Sequence, residues 1–205
     1  MTEELMLEEM ETQVMVLSAP KALYRNLTMP LADFLDWKPE IADGWKYEWD
    51  NGKLIANEET MNTYQLAIFN AIMRAFVKTE EYANGAALMP EVRCTFETLG
   101  RARQPDIAYF TQGQIALAAI GENPVPTFVI EVISKHDKGW ELERKLLDYF
   151  TVGVQTVWYV YTSPEIVRVY SSLRQGQYCA GEDNCSAAPA LPNFQMTAAS
   201  IFAKS

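Results

Sequence analysis

The chain has 205 residues, of which 49% are hydrophobic and 12% aromatic, and this composition is typical of a globular protein. Its formal charge of −10 argues against a protein that binds DNA by overall electrostatic attraction, but not against a nuclease whose bound cation supplies positive charge locally. No apolar stretch reaches the ~18–20 residues of a membrane span, the acidic start lacks signal-peptide features, and the three cysteines fit reduced thiols. We therefore expect a cytoplasmic protein with an acidic lead-in at residues 1–20 and a single domain over residues 21–205.

The N-terminal half is predicted to contain a short helix, a hairpin and a long helix. Apolar spacing after a cap candidate predicts the short helix over residues 28–37. The pair Asn51-Gly52 between two alternating segments predicts a β-hairpin. Apolar residues three and four positions apart predict a long amphipathic helix over residues 59–79. Strands are expected next at residues 87–96 and 106–110.

The C-terminal half alternates between helices and strongly apolar segments. It is predicted to form, in order, a short helix near 114–120, a buried strand at 127–134, a helix at 136–150, and strands at 154–161 and 165–171. Edge structure or loop follows to residue 189, and a short amphipathic segment ends near Phe202. This order predicts an α/β fold with a central mixed sheet flanked by helices.

Two acidic residues interrupt apolar strands and indicate a functional site. Glu131 lies within the run Thr127–Ser134, where an ionised carboxylate costs several kcal/mol unless it is paired or bound to a cation. Asp106 follows Pro105 and is the first residue of the strand predicted at 106–110, which precedes the strand of Glu131 in the chain. Two carboxylates on adjacent strands suit a hard divalent cation such as Mg²⁺ or Mn²⁺.

Other charged residues complete the candidate site. Glu48, beside the hairpin turn, is a candidate third acid. Cleavage of a phosphodiester also needs a cation to offset the charge that develops on the phosphate, and Lys135 and Lys145 are the candidates. The alternative for Lys145 is an exposed ion pair with Glu141, four residues earlier on the same helix.

Several motifs, in this order, resemble the PD-(D/E)XK or restriction-endonuclease-like superfamily and, within it, the Uma family of endonucleases. The resemblance runs from about Pro30 to Phe202. Its motifs are the hairpin segment Tyr47–Leu54, Gln104-Pro105-Asp106-Ile107-Ala108, Glu131-Val132-Ile133-Ser134, Lys145 with Tyr149-Phe150 and Gly153-Val154, Val157-Trp158-Tyr159-Val160, and Leu191-Pro192-Asn193-Phe194.

The resemblance implies a restriction-endonuclease-like core, with an N-terminal helix and hairpin, and a metal-dependent hydrolase that cleaves DNA. It implies that Asp106, Glu131 and Glu48 are the metal-binding and catalytic acids. The superfamily places a lysine two residues after the second acid, but this chain has Ile133 there. The resemblance implies that Lys145 replaces it as a migrated lysine, with Lys135 as the second choice.

Two further expectations concern the alternatives to an active monomeric enzyme. The absence of lysine at position 133 and the charge of −10 favour an inactive descendant that acts as a protein-interaction or nucleic-acid-sensing module. Because double-strand cleavage needs two active sites, a homodimer is also expected, with Trp37 and Trp140 as candidate exposed interface residues. Arg101 and Arg103, just ahead of Asp106, are interpreted as solvated surface charges.

Overall fold

The computed structural model describes residues 22–58, 63–135 and 137–203. The lead-in predicted for residues 1–20 and the helix start predicted at His136 lie outside the described residues, and the single domain predicted over residues 21–205 stays a prediction. None of the described helices combines the length and the apolar character that crossing a bilayer requires. All three cysteines are free and buried, as the sequence predicted.

The first part of the chain forms a four-stranded antiparallel sheet in the order β2-β1-β5-β4. Its strands are β1 (Trp45–Asp50), β2 (Lys53–Glu58), β4 (Cys94–Phe96) and β5 (Arg101–Arg103). The predicted hairpin joins β1 to β2. Asn51 and Gly52 both have positive φ angles, +44° and +89°, which a two-residue turn between twisted strands requires. The Asn-Gly signal in the sequence is thereby confirmed.

The central sheet has six strands in the order β10-β9-β8-β7-β6-β3. They are β3 (Ala87–Pro90), β6 (Ile107–Phe110), β7 (Phe128–Ile133), β8 (Thr156–Thr162), β9 (Glu165–Ser172) and β10 (Gln175–Ala180). The sheet is mixed, as predicted, because β7 and β8 are parallel while the other pairs are antiparallel. A separate pair consists of β11 (Asn184–Ser186) and β12 (Gln195–Thr197).

Helices pack on both faces of the central sheet and on the four-stranded sheet. The α-helices of the described residues are α1 (Leu31–Asp36), α2 (Thr63–Phe76), α3 (Glu80–Ala83), α4 (Gln112–Ala119), α5 (Gly139–Thr151) and α6 (Ala198–Phe202). Phe34 of α1 packs against the four-stranded sheet. Apolar residues of α2 and α6 share one core with Ile130 of β7. Apolar residues of α5 share a second core with Val129 and Ile133. Since side chains alternate along a strand, Glu131 lies on the same face as Val129 and Ile133, towards α5.

The structure differs from the sequence prediction at residues 87–103 and at Trp37, which is half-buried against the core of Phe34 and Tyr47 and not exposed. The single strand predicted over residues 87–96 is divided into β3 and β4, because Glu91 has a φ of +51° and its N–H bonds to the carbonyl of Asp106. Strand β5 was not predicted, and the interpretation of Arg101 and Arg103 as solvated charges was wrong. Arg103 is only 4% exposed, and Arg101 bonds to neighbouring carboxylates.

Candidate active site

Glu131 is buried at the centre of the site and is held by two side chains of α5. It is 4% exposed, and its Oε1 accepts a hydrogen bond of 2.5 Å from the Tyr149 hydroxyl. The Lys145 ammonium lies 3.4 Å from the same oxygen. Lys145 and Tyr149 are four residues apart and therefore lie on the same face of the helix. These partners offset the cost of placing a carboxylate in an apolar strand.

The electrostatics around Glu131 favour additional positive charge. Burial raises the pKa of Glu131 and the nearby Asp106 raises it further, although Lys145 and Lys46 act in the opposite direction. Burial and Glu131 also raise the pKa of the Tyr149 phenol well above its usual value. Tyr149 therefore stays protonated and donates to Glu131. A cavity at which the charge of Asp106 disfavours ionisation of Glu131 is a suitable environment for a cation.

Asp106 immediately precedes β6 and joins the two sheets. Its Oδ2 accepts the backbone N–H of Val132, on the neighbouring strand β7, at 2.7 Å. Its Oδ1 lies 3.1 Å from the ammonium of Lys46, which extends from β1. The Lys46 side chain is 8% exposed and that of Asp106 is 26% exposed. The hydrogen bond to Val132 thus fixes Asp106 beside Glu131, as the prediction of adjacent strands requires.

Glu48 lies on β1 and is almost fully buried, at 1% exposure. Its Oε1 accepts the N–H of Gln104 at 3.0 Å and lies 3.2 Å from Lys145, while its Oε2 lies 3.1 Å from Arg103. Burial alone would raise the pKa of Glu48, but Lys145, Arg103 and the Gln104 N–H outweigh it and lower the pKa to about 2. Glu48 is therefore ionised, and both its oxygens are engaged by protein groups.

Lys145 lies between two carboxylates and is permanently charged. Its side chain is 14% exposed. Burial would lower the pKa of Lys145, but Glu131 and Glu48 outweigh that effect and raise it. The alternative in which Lys145 pairs with Glu141 is wrong, because Glu141 lies 3.3 Å from Lys138 instead. The other candidate lysine, Lys135, is exposed.

A cavity of about 250 Å³ exposes part of this cluster to solvent. Asp106, Glu131, Lys145 and Lys46 all line it, whereas Glu48 lines a neighbouring cavity. Within the part of the chain that the structure describes, no three His, Cys, Asp or Glu side chains are grouped so as to hold a metal ion. Two carboxylates at one cavity do fit Mg²⁺, which usually takes one or two from a protein and keeps several waters.

A chain of buried ion pairs supports the site from behind. Arg103 bridges Glu48 and Asp148 of α5, at 3.1 Å and 2.5 Å. Arg101 lies 2.6 Å from Asp50, which also pairs with Arg144 of α5. Removing one member of such a network leaves a buried charge without compensation, so these pairs fix α5 against the four-stranded sheet.

Sequence reasoning did not identify Lys46 and Arg103 as members of the site. The available signal was the alternation along β1, where Lys46, Glu48 and Asp50 share one face. Alternation alone does not show whether such a face is buried, because an antiparallel sheet commonly has one side in contact with solvent. Here the face is buried, since all three residues are 8% exposed or less. Three consecutive charged positions on one strand face required partners, and α5 and β5 supply them.

The fold and the site define the class of protein. Acids on two neighbouring strands of a mixed sheet, with a lysine against them, form the arrangement of restriction-endonuclease-like proteins. The sequence model of the Uma2 family, described as "Putative restriction endonuclease", matches residues 31–199. The chain belongs to this family.

The comparison with solved structures agrees with this assignment at the level of the fold. The chain is similar to the crystal structure of "a putative nuclease belonging to DUF820" from Anabaena variabilis, with a TM-score of 0.69 and 20% sequence identity. The match covers 85% of this chain and 97% of that one. No curated protein matches the chain significantly.

Proposed function

We propose that the protein is a metal-dependent endonuclease that hydrolyses DNA phosphodiester bonds at the cavity formed by Asp106 and Glu131. The observation that supports this most is the position of Lys145, whose ammonium lies 3.4 Å from Glu131 on the wall of that cavity. The three groups of a PD-(D/E)XK site are then present, with the lysine supplied by α5 instead of β7. Cleavage of both strands would use two copies of the chain.

In this proposal Asp106 and Glu131 hold Mg²⁺ or Mn²⁺. The bound ion would supply Lewis-acid stabilisation of the phosphate and lower the pKa of a coordinated water. The assignment of Glu48 as a third ligand stays a prediction. Its two oxygens are engaged by Gln104, Arg103 and Lys145, and these contacts favour a positioning role in which Glu48 holds Lys145 towards the cavity.

The lysines act through their charge. Because the pKa values of Lys145 and Lys46 are both raised, neither side chain is a proton acceptor at neutral pH. Burial would lower the pKa of Lys46, and the opposing effects of Asp106 and Glu131 prevail. A fixed ammonium in a partly water-excluded cavity stabilises negative charge as it develops on a phosphate oxygen. We assign this role to Lys145, with Lys46 as a second cation across the cavity.

The proposal is tested by incubating the full chain with supercoiled plasmid in Mg²⁺, in Mn²⁺ and in EDTA. We expect nicked and linear DNA with either metal and intact plasmid in EDTA. Calorimetry with the same metals is expected to detect binding that Asp106→Ala and Glu131→Ala each abolish. Intact plasmid in every buffer, together with no metal binding, would refute the proposal.

A second candidate is a nuclease-like fold without catalysis, acting as a protein-interaction or nucleic-acid-sensing module. It is favoured by Ile133 in place of the superfamily lysine and by the Lys46–Asp106 ion pair, which already neutralises one carboxylate of the site. Nucleic-acid binding without cleavage, and without metal binding that depends on Asp106 or Glu131, would support this candidate over the first.

The Lys46–Asp106 pair leads to a specific prediction about metal affinity. In Lys46→Met the positive charge 3.1 Å from Asp106 Oδ1 is removed, so a divalent cation no longer competes with an ammonium. We expect Mn²⁺ to bind about tenfold more tightly, equivalent to about 1.4 kcal/mol, while plasmid cleavage becomes slower. Lys46→Arg keeps the charge and is the control. Unchanged Mn²⁺ affinity in Lys46→Met, measured by calorimetry, would contradict the prediction.

A further inference from the structure

A second cavity, of about 230 Å³, lies beside the candidate site between the β1–β2 hairpin and α5. Five cationic side chains but only three carboxylates line it. The whole chain carries a formal charge of −10, and this cavity differs from that average because its cations outnumber its carboxylates. Its cationic residues are Arg25, Arg103, Lys138, Arg144 and Lys145.

The positive charge of this cavity reaches solvent, whereas most of its negative charge does not. The Lys138 and Arg144 side chains are 57% and 38% exposed, although each pairs with a carboxylate, Glu141 and Asp50 respectively. Arg25 is also exposed. The carboxylates of Glu48 and Asp50 are buried, so Glu141, at 31% exposure, is the more accessible of the three acids. A phosphate that approaches the opening therefore meets more cationic than anionic side chains, which is the electrostatic requirement for binding a nucleic-acid backbone.

Trp140 adds an aromatic surface at the same opening. It lies in the first turn of α5, lines the cavity and is 61% exposed, although tryptophan is usually well buried. The Lys138 ammonium lies 5.8 Å from the centre of its ring. An exposed indole among cations is the combination that binds single strands, because unpaired bases stack on aromatic rings while the cations contact the backbone. The bases of a duplex are stacked on each other and are not available in this way.

The basic cavity is continuous with the candidate active site. Arg25, Lys138 and Lys145 line both cavities. Lys145 pairs with Glu48 in one cavity and with Glu131 in the other. A strand whose base stacks on Trp140 thus has a path lined by cations to the two acids.

We propose that Trp140 and the cations beside it bind a single-stranded segment of DNA and direct it to the cavity of Asp106 and Glu131. The part of this proposal in which the strand is delivered to Asp106 and Glu131 for cleavage rests on the proposed function. The binding of the strand does not, because it requires no metal. The substrate class is accordingly DNA with unpaired bases, such as a single strand, a flap, a frayed end or a locally unpaired segment of a supercoiled plasmid.

The test measures binding of the full chain to a fluorescently labelled single-stranded 15-mer and to the corresponding duplex in EDTA, where no metal-dependent cleavage occurs. Trp140→Leu is expected to raise the Kd for the single strand about tenfold, within the range for one stacked base. Trp140→Phe is expected to raise it less, because a smaller ring remains. The duplex affinity is expected to stay within about twofold.

Tyr178→Leu is the matched control. Tyr178 is 62% exposed and has Arg168 4.7 Å from its ring centre, but it lies on the edge strand β10. Tyr178→Leu is expected to leave the affinities for the single strand and for the duplex unchanged. Lys138→Gln is expected to weaken binding of both DNA forms and to reduce the single-strand salt slope by about 0.7. Circular dichroism checks that each variant is folded.

Two results would overturn the inference. One is a single-strand Kd in Trp140→Leu equal to that of the unmodified protein, and the other is an equal loss for Tyr178→Leu. The outcome is separable from that of the proposed function. If single-strand binding depends on Trp140 but the protein does not cleave DNA with any of the metals, the result would support this inference and refute the proposed nuclease function. If cleavage depends on metal but Trp140→Leu binds single-stranded DNA with unchanged affinity, the result would support the proposed function and refute this inference.

Discussion

Replacing Asp106 by Asn is expected to lower the rate of metal-dependent plasmid cleavage about 1000-fold, as expected when a group that stabilises transition-state charge is lost. The amide keeps the size of the side chain and an oxygen that can accept the Val132 N–H, but it loses the negative charge that would hold a cation. Because the Lys46 ammonium is only 8% exposed and loses one of the carboxylates that compensate its charge, stability is expected to fall by about 1–3 kcal/mol. The measurements are the initial nicking rate in Mg²⁺ and the midpoint of urea unfolding.

The matched control is Asp36→Asn, which removes the same charge from an exposed position in α1. It is expected to cleave at the unmodified rate. A cleavage rate in Asp106→Asn within about threefold of the unmodified protein, at equal folded fraction, would remove Asp106 from the catalytic site. That limit is far below the ~100-fold or larger effect of losing one transition-state contact.

Replacing Lys145 by Met is expected to affect both stability and activity. The ammonium lies 3.2 Å from Glu48 and 3.4 Å from Glu131, both buried, so its loss leaves two carboxylates with too little positive charge. Breaking a buried pair in this way typically costs about 3–5 kcal/mol of the free energy of unfolding. Cleavage is expected to fall by at least about 100-fold, because the phosphate loses a fixed cation.

A double variant separates these two effects. Glu48→Gln removes one of the orphaned charges, so Lys145→Met/Glu48→Gln is expected to recover about 1–2 kcal/mol of the stability lost in Lys145→Met. It is not expected to recover cleavage, since the cation at Glu131 is still missing. Lys78→Met, at an exposed position beyond α2, is the control and should change stability by about 0.5 kcal/mol or less. Full recovery of cleavage in the double variant would show that Lys145 has only a structural role.

The sequence was sufficient to predict those parts of the fold that local patterns determine. The Asn51-Gly52 turn follows from backbone geometry alone, and the burial of β7 on both faces follows from the apolar residues on either side of Glu131. The order of helices and strands along the chain then predicted that the central sheet is mixed. Glu131 was recognisable because a carboxylate in such a strand is costly unless other residues compensate for it.

The ion-pair network could not be predicted in the same way, because its members are far apart in sequence. Arg103 and Glu48 are separated by 55 positions, and Arg103 and Asp148 by 45. Each residue, taken alone, fits an exposed position on a strand or helix. The pairing of β1 with β5 brings Glu48 and Arg103 together, and the packing of α5 against that sheet adds Asp148. No local periodicity contains that information. The same reason explains why Lys46 was not identified as a partner of Asp106.

The position of Lys145 on α5 also has a consequence for the biosynthesis of the protein. Both acids of the cavity precede residue 132, but the lysine between Glu131 and Glu48 and the aspartate that bridges to Arg103 are synthesised later, on a helix that ends at Thr151. A nascent chain that still lacks α5 has Asp106 with its partner Lys46 and Glu48 with its partner Arg103, but Glu131 lacks both Lys145 and Tyr149. Under the proposed function, competence to cleave DNA is acquired only when this helix docks, so incomplete translation products would not cleave the genome of the cell that makes them.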